Sequence, residues 1–276
     1  MPVATVVQGS TKDPKAASSG GGIVKRNNRK RTGAHLLWLF IAPAFVFYAF
    51  VVLVPAGQGL FFSMTNWDGL RQGWDFIGIH NFTILFADPV SVRAVTNTFA
   101  YAIITTVFEN LFGLLLALGL NSKIKSRNFL RVVFFMPVIL LSVVIAYLWK
   151  FIFLPNNGVF VNLVNFLGFT DADPNMLGRP DSVVIGISIM VIWQFTGFTM
   201  IIYLAGLQGV PPELLESASI DGAGPWSKFW HITWPLLAPA LTVNLILSMI
   251  RGFMIFDQIW AATLGGPADS SHSMST

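Results

Sequence analysis

Between Arg31 and Asp68 the chain runs without a single Asp, Glu, Lys or Arg, and that absence limits its fold more than any other feature. At about 1.5 Å of rise per helical residue, about 20 apolar residues cross the hydrocarbon core of a bilayer. The uncharged block is long enough to do so once, over about 35–57, with Pro43 and Pro55 as kinks or ends. Similar blocks recur at about 97–120, 132–153, 182–207 and 236–261. A spanning segment must satisfy its own backbone polar groups, so each block reads as a helix. The expected fold is an all-α, polytopic transmembrane bundle with five spans in this chain. Composition agrees, with 54% hydrophobic and 11% charged residues, where soluble domains carry about a quarter charged.

The segment before the first span, 1–34, is rich in Gly, Ser, Lys, Arg and Asn. It holds too little apolar surface to offset the entropy of ordering, and reads as a disordered basic cytoplasmic tail, with 35–276 as the transmembrane domain. The apolar block behind it is far longer than the core of a cleavable signal peptide, so it reads as an uncleaved span. Lys and Arg are distributed unevenly. Seven lie in the tail, four in the loop NSKIKSRNFLR and one between 208 and 235, against four in the outer loops, counting Lys150. Positive residues favour the cytoplasm, which puts the N-terminus and the 208–235 segment on that side of the cell membrane. The net charge of +4 and pI near 9.5 come from these flanks and form no basic stripe, so nucleic acid is not an expected partner. The chain has no cysteine, which removes disulfides and thiolate chemistry.

The stretch 211–239 interrupts two apolar blocks with Glu213, Glu216, Asp221, Lys228 and His231. Pro211 and Pro212 suit a helix start, and Glu213 and Glu216 complement the positive end of its dipole. Asp221-Gly222 ends that helix and Gly224-Pro225 restarts the chain. Trp226, Phe229, Trp230, Thr233 and Trp234 then fall at the spacing of one helix face, as in a helix lying at headgroup depth. The plainest reading of these residues is a capped re-entry loop with an aromatic belt.

The run Glu216, Ser217, Ala218, Ser219, Ile220, Asp221, Gly222, Ala223, followed by Phe229, Ile232, Pro235 and Pro239, resembles the EAA signature of permease subunits of binding-protein-dependent ABC importers. Ser217 stands in place of the first Ala of the signature, one small residue for another. LLWLFIAPAFVFYAFVVLVPAGQGLFFSMTNW, FIGIHNFTILFADP, LPNNGVFVNLVNFLG and IFDQIWAATLGGP are similar, in order and spacing, to the maltose and multiple-sugar type of that family. The resemblance implies a subunit that translocates a sugar or sugar-like solute. It also implies a second permease subunit in a heterodimer, two cytoplasmic ABC ATPase subunits and an extracytoplasmic solute-binding protein. ATP and Mg would bind the partner ATPase, with no cofactor in this chain and no enzymatic step of its own. Glu216, Ser217, Ala218, Asp221, Gly222 and Ala223 would form the coupling helix that docks on the ATPase. The family usually has six spans, and this chain stops at Thr276 where the last one should approach, so the reading is a fragment, an interrupted reading frame or a protein that lacks the final helix.

Ionisable groups inside spans are costly and mark bundle interiors or pathways. Glu109, Gln194, Asn244 and Arg251 are therefore the candidate solute pathway, weighed against a purely structural pairing. Counted along ideal helices, Glu109 and Arg251 lie at heights differing by about 6 Å, close enough for an ion pair. Trp149, Trp193 and Phe253 could stack on a sugar, although aromatic residues in spans more often serve packing. His35, His80, His231 and His272 have no metal spacing, and no P-loop, H-E-x-x-H or G-x-S-x-G is present. The rival reading is a stand-alone secondary transporter or channel using Glu109 and Arg251, which would need no separate ATPase.

Overall fold

The structure is a computed structural model that describes residues 34–122, 124–155, 158–168 and 175–276. The basic tail expected over 1–34 lies outside these residues except for Ala34. The chain divides into two compact units, Met1–Ser63 and Met64–Thr276.

The described part of the first unit is one apolar helical rod. Helix α1 (Ala34–Tyr48) runs into a wide π turn (Ala49–Leu53) and continues as α2 (Val54–Phe62). The π turn has a local cause. Pro55 has no N–H, and its ring would strike a carbonyl four residues back, so the preceding turn opens and Val54 N–H donates to Ala49 C=O instead. None of the residues Phe40–Phe62 is buried within the chain. Phe40 is 77% exposed, as suits a side chain whose solvent is lipid or another membrane helix.

The second unit begins with a small cap. Thr65 and Phe76 form an isolated antiparallel bridge, and Asp75 N–H donates to Asn66 Oδ1 at 2.7 Å. A short helix, α3 (His80–Ala87), leads to Asp88, which caps α4 (Pro89–Asn121). Asp88 accepts from Ser91 N–H at 2.9 Å and Ser91 Oγ at 2.6 Å. The Ser91 hydroxyl bond, then the backbone bonds, hold its carboxyl below the usual carboxylate range. Pro89 follows at the first helical position, where a missing N–H costs nothing.

Helix α4 has 33 residues, about 50 Å at the helical rise and longer than a bilayer core. It packs along α8 (Val183–Gln208). Small residues make the crossings close: a Cβ at Gly113 would lie 2.6 Å from Thr199 Cγ2. One at Gly197 would run into the Phe134 carbonyl. Three apolar clusters form the core, one of them around Met200, Tyr203, Leu204 and Leu237.

Two expected spans are not single rods. Over 132–153 the chain is α5 (Arg127–Ile139) followed by α6 (Ser142–Ile152), bent by 102°. Pro137 withholds an N–H inside the last turn of α5, and Leu140 and Leu141 are extended. After α7 (Val159–Phe166) and α8 comes α9 (Pro212–Ile220). The fifth expected span, 236–261, is likewise divided. A run of α10 (Pro225–Lys228), a second π turn (Phe229–Thr233) and α11 (Trp234–Leu236) meets α12 (Ala238–Phe253) at 65°. Helix α12 then stops at Phe253, and α13 (Asp257–Thr263) starts anew. Among the described residues, three helices are long and apolar enough to cross a membrane, or up to five spans if each bent pair counts as one.

The segment after α13 folds back on the bundle. Asn97 Nδ2 donates to the carbonyls of Ser270 at 2.7 Å and His272 at 3.0 Å, and Tyr101 Oη donates to Ser271 C=O at 3.0 Å. Ser273 Oγ donates to Ile255 C=O at 2.9 Å, inside the break between α12 and α13. The carbonyls freed where α12 ends thus find partners in the following segment.

Candidate functional site

Two places concentrate polar chemistry: the exposed turn between α8 and α12, and a layer of polar side chains inside the bundle.

The turn is built almost entirely from local bonds. Pro212 opens α9 with Glu213 in its first turn. The helix ends in a Schellman motif, with Gly222 N–H donating to Ser219 C=O at 3.2 Å and Ala223 N–H to Ala218 C=O at 2.8 Å. That closure requires a left-handed residue, and Gly222 has φ +80°. Gly224 then precedes Pro225 and α10. Lys228 Nζ donates to Ser219 Oγ at 2.6 Å, joining α10 back to α9.

Of the residues singled out here, Glu216, Ser217, Asp221 and Gly222 are exposed, while Ala218 and Ala223 are half-buried. Ile220 was not among them, yet it is 88% exposed at the end of α9. It stands beside the exposed carboxylates of Glu216 and Asp221. The signal that could have found it is its position one residue before Asp221, where the helix stops and nothing remains to cover it.

Behind the turn, Trp226, Phe229, Trp230 and Trp234 form one ring cluster. Successive tryptophans lie 5.6 and 5.5 Å apart, and Phe229 lies 5.3 Å from Trp230. The π turn over Phe229–Thr233 repeats the device seen before Pro55. Trp234 N–H reaches back to Phe229 C=O, and Pro235 follows.

The buried layer is made from distant parts of the chain. Arg251 of α12 donates to Glu109 Oε2 of α4 at 2.7 Å, with Glu109 fully buried and the Arg251 side chain 22% exposed. The guanidinium carbon of Arg251 also sits 4.8 Å from the ring centre of Phe195 and 5.3 Å from that of Phe198. One residue on from Glu109, Asn110 Nδ2 donates to Ser248 Oγ at 3.0 Å, and Tyr203 Oη donates to Asn110 Oδ1 at 2.8 Å. Asn244 Nδ2 donates to Thr199 C=O at 3.2 Å. Glu109 and Arg251 thus form one pair, and Asn110, Ser248, Tyr203 and Asn244 a second bonded group beside it, the two together spanning α4, α8 and α12.

Gln194 serves a different place. It accepts from Gln258 Nε2 at 3.0 Å and donates to Leu140 C=O at 3.3 Å, so it bridges the α5–α6 bend and the start of α13. The layer is incomplete on one side, because Glu109 Oε1, Asn244 Oδ1 and Arg251 Nε are buried without protein partners. Such orphaned atoms in lipid-spanning helices call for water or solute.

The aromatic residues considered for sugar stacking are occupied with one another. Trp149 meets Trp193 edge-on at 5.8 Å, and Phe253 meets Phe99 at 5.5 Å. Trp149 and Trp193 also border a cleft of about 660 Å³ among α4, α5, α6 and α8. Among the described residues no cluster of three His, Asp or Glu is arranged to hold a metal.

Comparison with known proteins places these features in context. Residues 109–272 match the family described as binding-protein-dependent transport system inner membrane component. A multiple sugar-binding transport system permease protein of Streptococcus mutans is 34% identical, covering 89% of this chain and 84% of the relative. A probable starch degradation products transport system permease protein of Thermoanaerobacterium thermosulfurigenes is also 34% identical, covering 85% of this chain and 78% of the relative. Among solved structures, a chain of a bacterial ABC transporter that imports the acidic polysaccharide alginate superposes with a TM-score of 0.72. It is 24% identical and covers 88% of this chain and 82% of that one.

Proposed function

The chain belongs to the family of binding-protein-dependent transport system inner membrane components, and on that premise we propose that it carries a sugar or sugar-like solute across the membrane as one permease of an ATP-driven importer. The sugar assignment rests on the solutes named for its relatives. The partners proposed are a second permease chain, two cytoplasmic ABC ATPases and an extracytoplasmic solute-binding protein. ATP and Mg²⁺ belong to the ATPases in this reading, and the chain itself catalyses nothing.

Residues Glu216 to Ala223 are the docking element, on the cytoplasmic face that the Lys and Arg distribution favours. Ile220 supplies an apolar knob, Glu216 and Asp221 supply carboxylates for charge-assisted hydrogen bonds, and Ala218 and Gly222 permit close backbone approach. The observation that carries this reading is the exposure of Glu216, Ser217, Asp221 and Gly222 on a helix whose end is locked by its own Schellman closure. A stroke applied to α9 would pass through the Lys228 to Ser219 bond into α10 and along α12 to Arg251. There the ion pair would carry it to α4, and tilting of α4 against α8 would exchange inward and outward access. Glu109, Asn244 and Arg251, with their unfilled bonds, are the proposed polar lining of the solute path, and Gln194 is the brace of the bent span beside it.

The test is uptake in proteoliposomes containing the chain, its partner permease, the ATPases and the binding protein. Asp221→Arg and Ile220→Glu should abolish solute-stimulated ATP hydrolysis and weaken ATPase retention on the membrane. Normal coupling in both variants would overturn the docking assignment. Solute flux through the chain alone, driven by an ion gradient, would replace the importer by a secondary carrier.

A further inference from the structure

The cleft among α4, α5, α6 and α8 is built for a ligand unlike a sugar. Its volume is about 660 Å³, and its walls are almost wholly apolar, with Phe134 of α5 and Trp193 of α8 facing it. The two hydroxyl groups on its border have already donated within their own helix, Ser188 to Val184 C=O at 2.7 Å and Thr196 to Ile192 C=O at 2.6 Å. A sugar placed here would lose the water bonded to its hydroxyls and find few replacements, at a cost no stacking would offset. The cleft borders α4 from Ile104 to Leu116, about 18 Å at the helical rise. One leaflet of a bilayer has about 15 Å of hydrocarbon depth.

Charge is gathered at one end of this cleft. Arg131 lies two residues before Val133 and three before Phe134, both of which border it. Its Nη2 donates to Leu120 C=O at 3.3 Å, one turn beyond Leu116, so the guanidinium ties α5 to α4 just past the residues that border the cleft. Arg131 Nε is buried with no protein partner. Arg127, one turn earlier on α5, is exposed, and the first turn of α5 has no acidic residue and no side-chain cap. Two cationic side chains and the positive end of the α5 dipole thus lie along the chain just before Val133 and Phe134, on the side of the apolar slot that ends at Leu116.

We propose that the cleft holds an acyl chain of an anionic phospholipid whose phosphate rests on Arg127 and Arg131. The bound lipid fills the space between α5, whose bend at Leu140 is braced by Gln194, and the long helix α4. It makes the packing of the bent span depend on the anionic content of the surrounding leaflet.

The test uses the assembled transporter in lipid nanodiscs, titrated with phosphatidylglycerol or phosphatidylcholine brominated at the same mid-chain carbons. Bromine quenches indole fluorescence on contact. The cleft signal is the difference between the natural chain and a Trp149→Phe, Trp193→Phe variant. The expected result is half-quenching at an about fivefold lower mole fraction of the anionic lipid. Arg127→Gln, which alters an exposed side chain and leaves the core untouched, should remove part of that preference. Adding Arg131→Gln should remove the rest. Equal quenching by both lipids would overturn the proposal, leaving only bulk lipid at the surface. It would equally fall if neither lipid quenched and a cysteine introduced by Phe112→Cys, the chain having none of its own, cross-linked to a helix of the partner permease.

Discussion

The α9 turn and the buried layer around Glu109 are both polar interruptions of an apolar chain, and they are held in opposite ways. In the turn, each bond joins residues no more than nine positions apart, from Pro212 to Lys228. In the layer, the decisive bonds join residues 142 and 138 positions apart. Local bonds make a rigid unit that keeps its shape when the surroundings move. Long-range bonds report the relative position of whole helices. A docking element needs the first property, and a site that opens and closes needs the second.

The comparison can be broken most severely at Arg251. Arg251→Ala would strand the Glu109 carboxylate in the bundle and should cost about 3–5 kcal/mol, read as a large fall in the thermal midpoint of the purified complex. Pairing it with Glu109→Gln should recover part of the loss. If the two changes were simply additive, the bond at 2.7 Å would carry no coupling between α4 and α12. Gly197→Ala comes next, since its Cβ meets the Phe134 backbone. Overpacking of this kind costs about 1–3 kcal/mol, and the bent α5 should show faster hydrogen exchange.

A smaller and different effect is expected in the turn. Gly222→Ala places a side chain at φ +80° and should cost about 1–2 kcal/mol locally. The thermal midpoint of the bundle should barely change, while solute-stimulated ATP hydrolysis falls. Equal damage to both readouts would mean that the turn and the layer are one cooperative unit. The smallest effect belongs to Asp88. Its carboxyl titrates below the ordinary range because folding supplies Ser91 as partner. Its contribution is therefore fully present above the usual carboxylate pKa and disappears as pH falls through the lowered folded value. Exchange protection of the Val90 and Ser91 amides should fade in that acidic window, and Asp88→Asn should flatten the dependence.

The legibility of the molecule follows the same division. The start of α9 at Pro212, its end at Asp221-Gly222 and the run of aromatic residues behind it are all written in neighbouring residues. The bend between α5 and α6 is only half written there. Pro137 announces a weak point, but an extended Leu140 and Leu141 inside lipid is tolerable only because Gln194, far along the chain, reaches the Leu140 carbonyl. The break after Phe253 had no local signal, since Met254 and Ile255 would suit a helix. It is stabilised by Ser273 donating to Ile255.

Taken by itself, the sequence determined that the chain is a helical membrane protein, where it leaves the apolar phase, and where the α9 helix begins and ends. Each of these depends on hydrophobic run length, charge placement or bonds between near neighbours, and such quantities are carried by short stretches of chain. Only the tertiary structure decided that Glu109 meets Arg251, that Gln194 braces a bend and lies apart from that pair, and that an apolar cleft opens beside α5. Those outcomes depend on how helices rotate about their axes and how closely glycines let them approach. In a bundle whose helices are apolar on nearly every side, hydrophobic periodicity does not specify that rotation, so the few polar side chains and small residues must do it together.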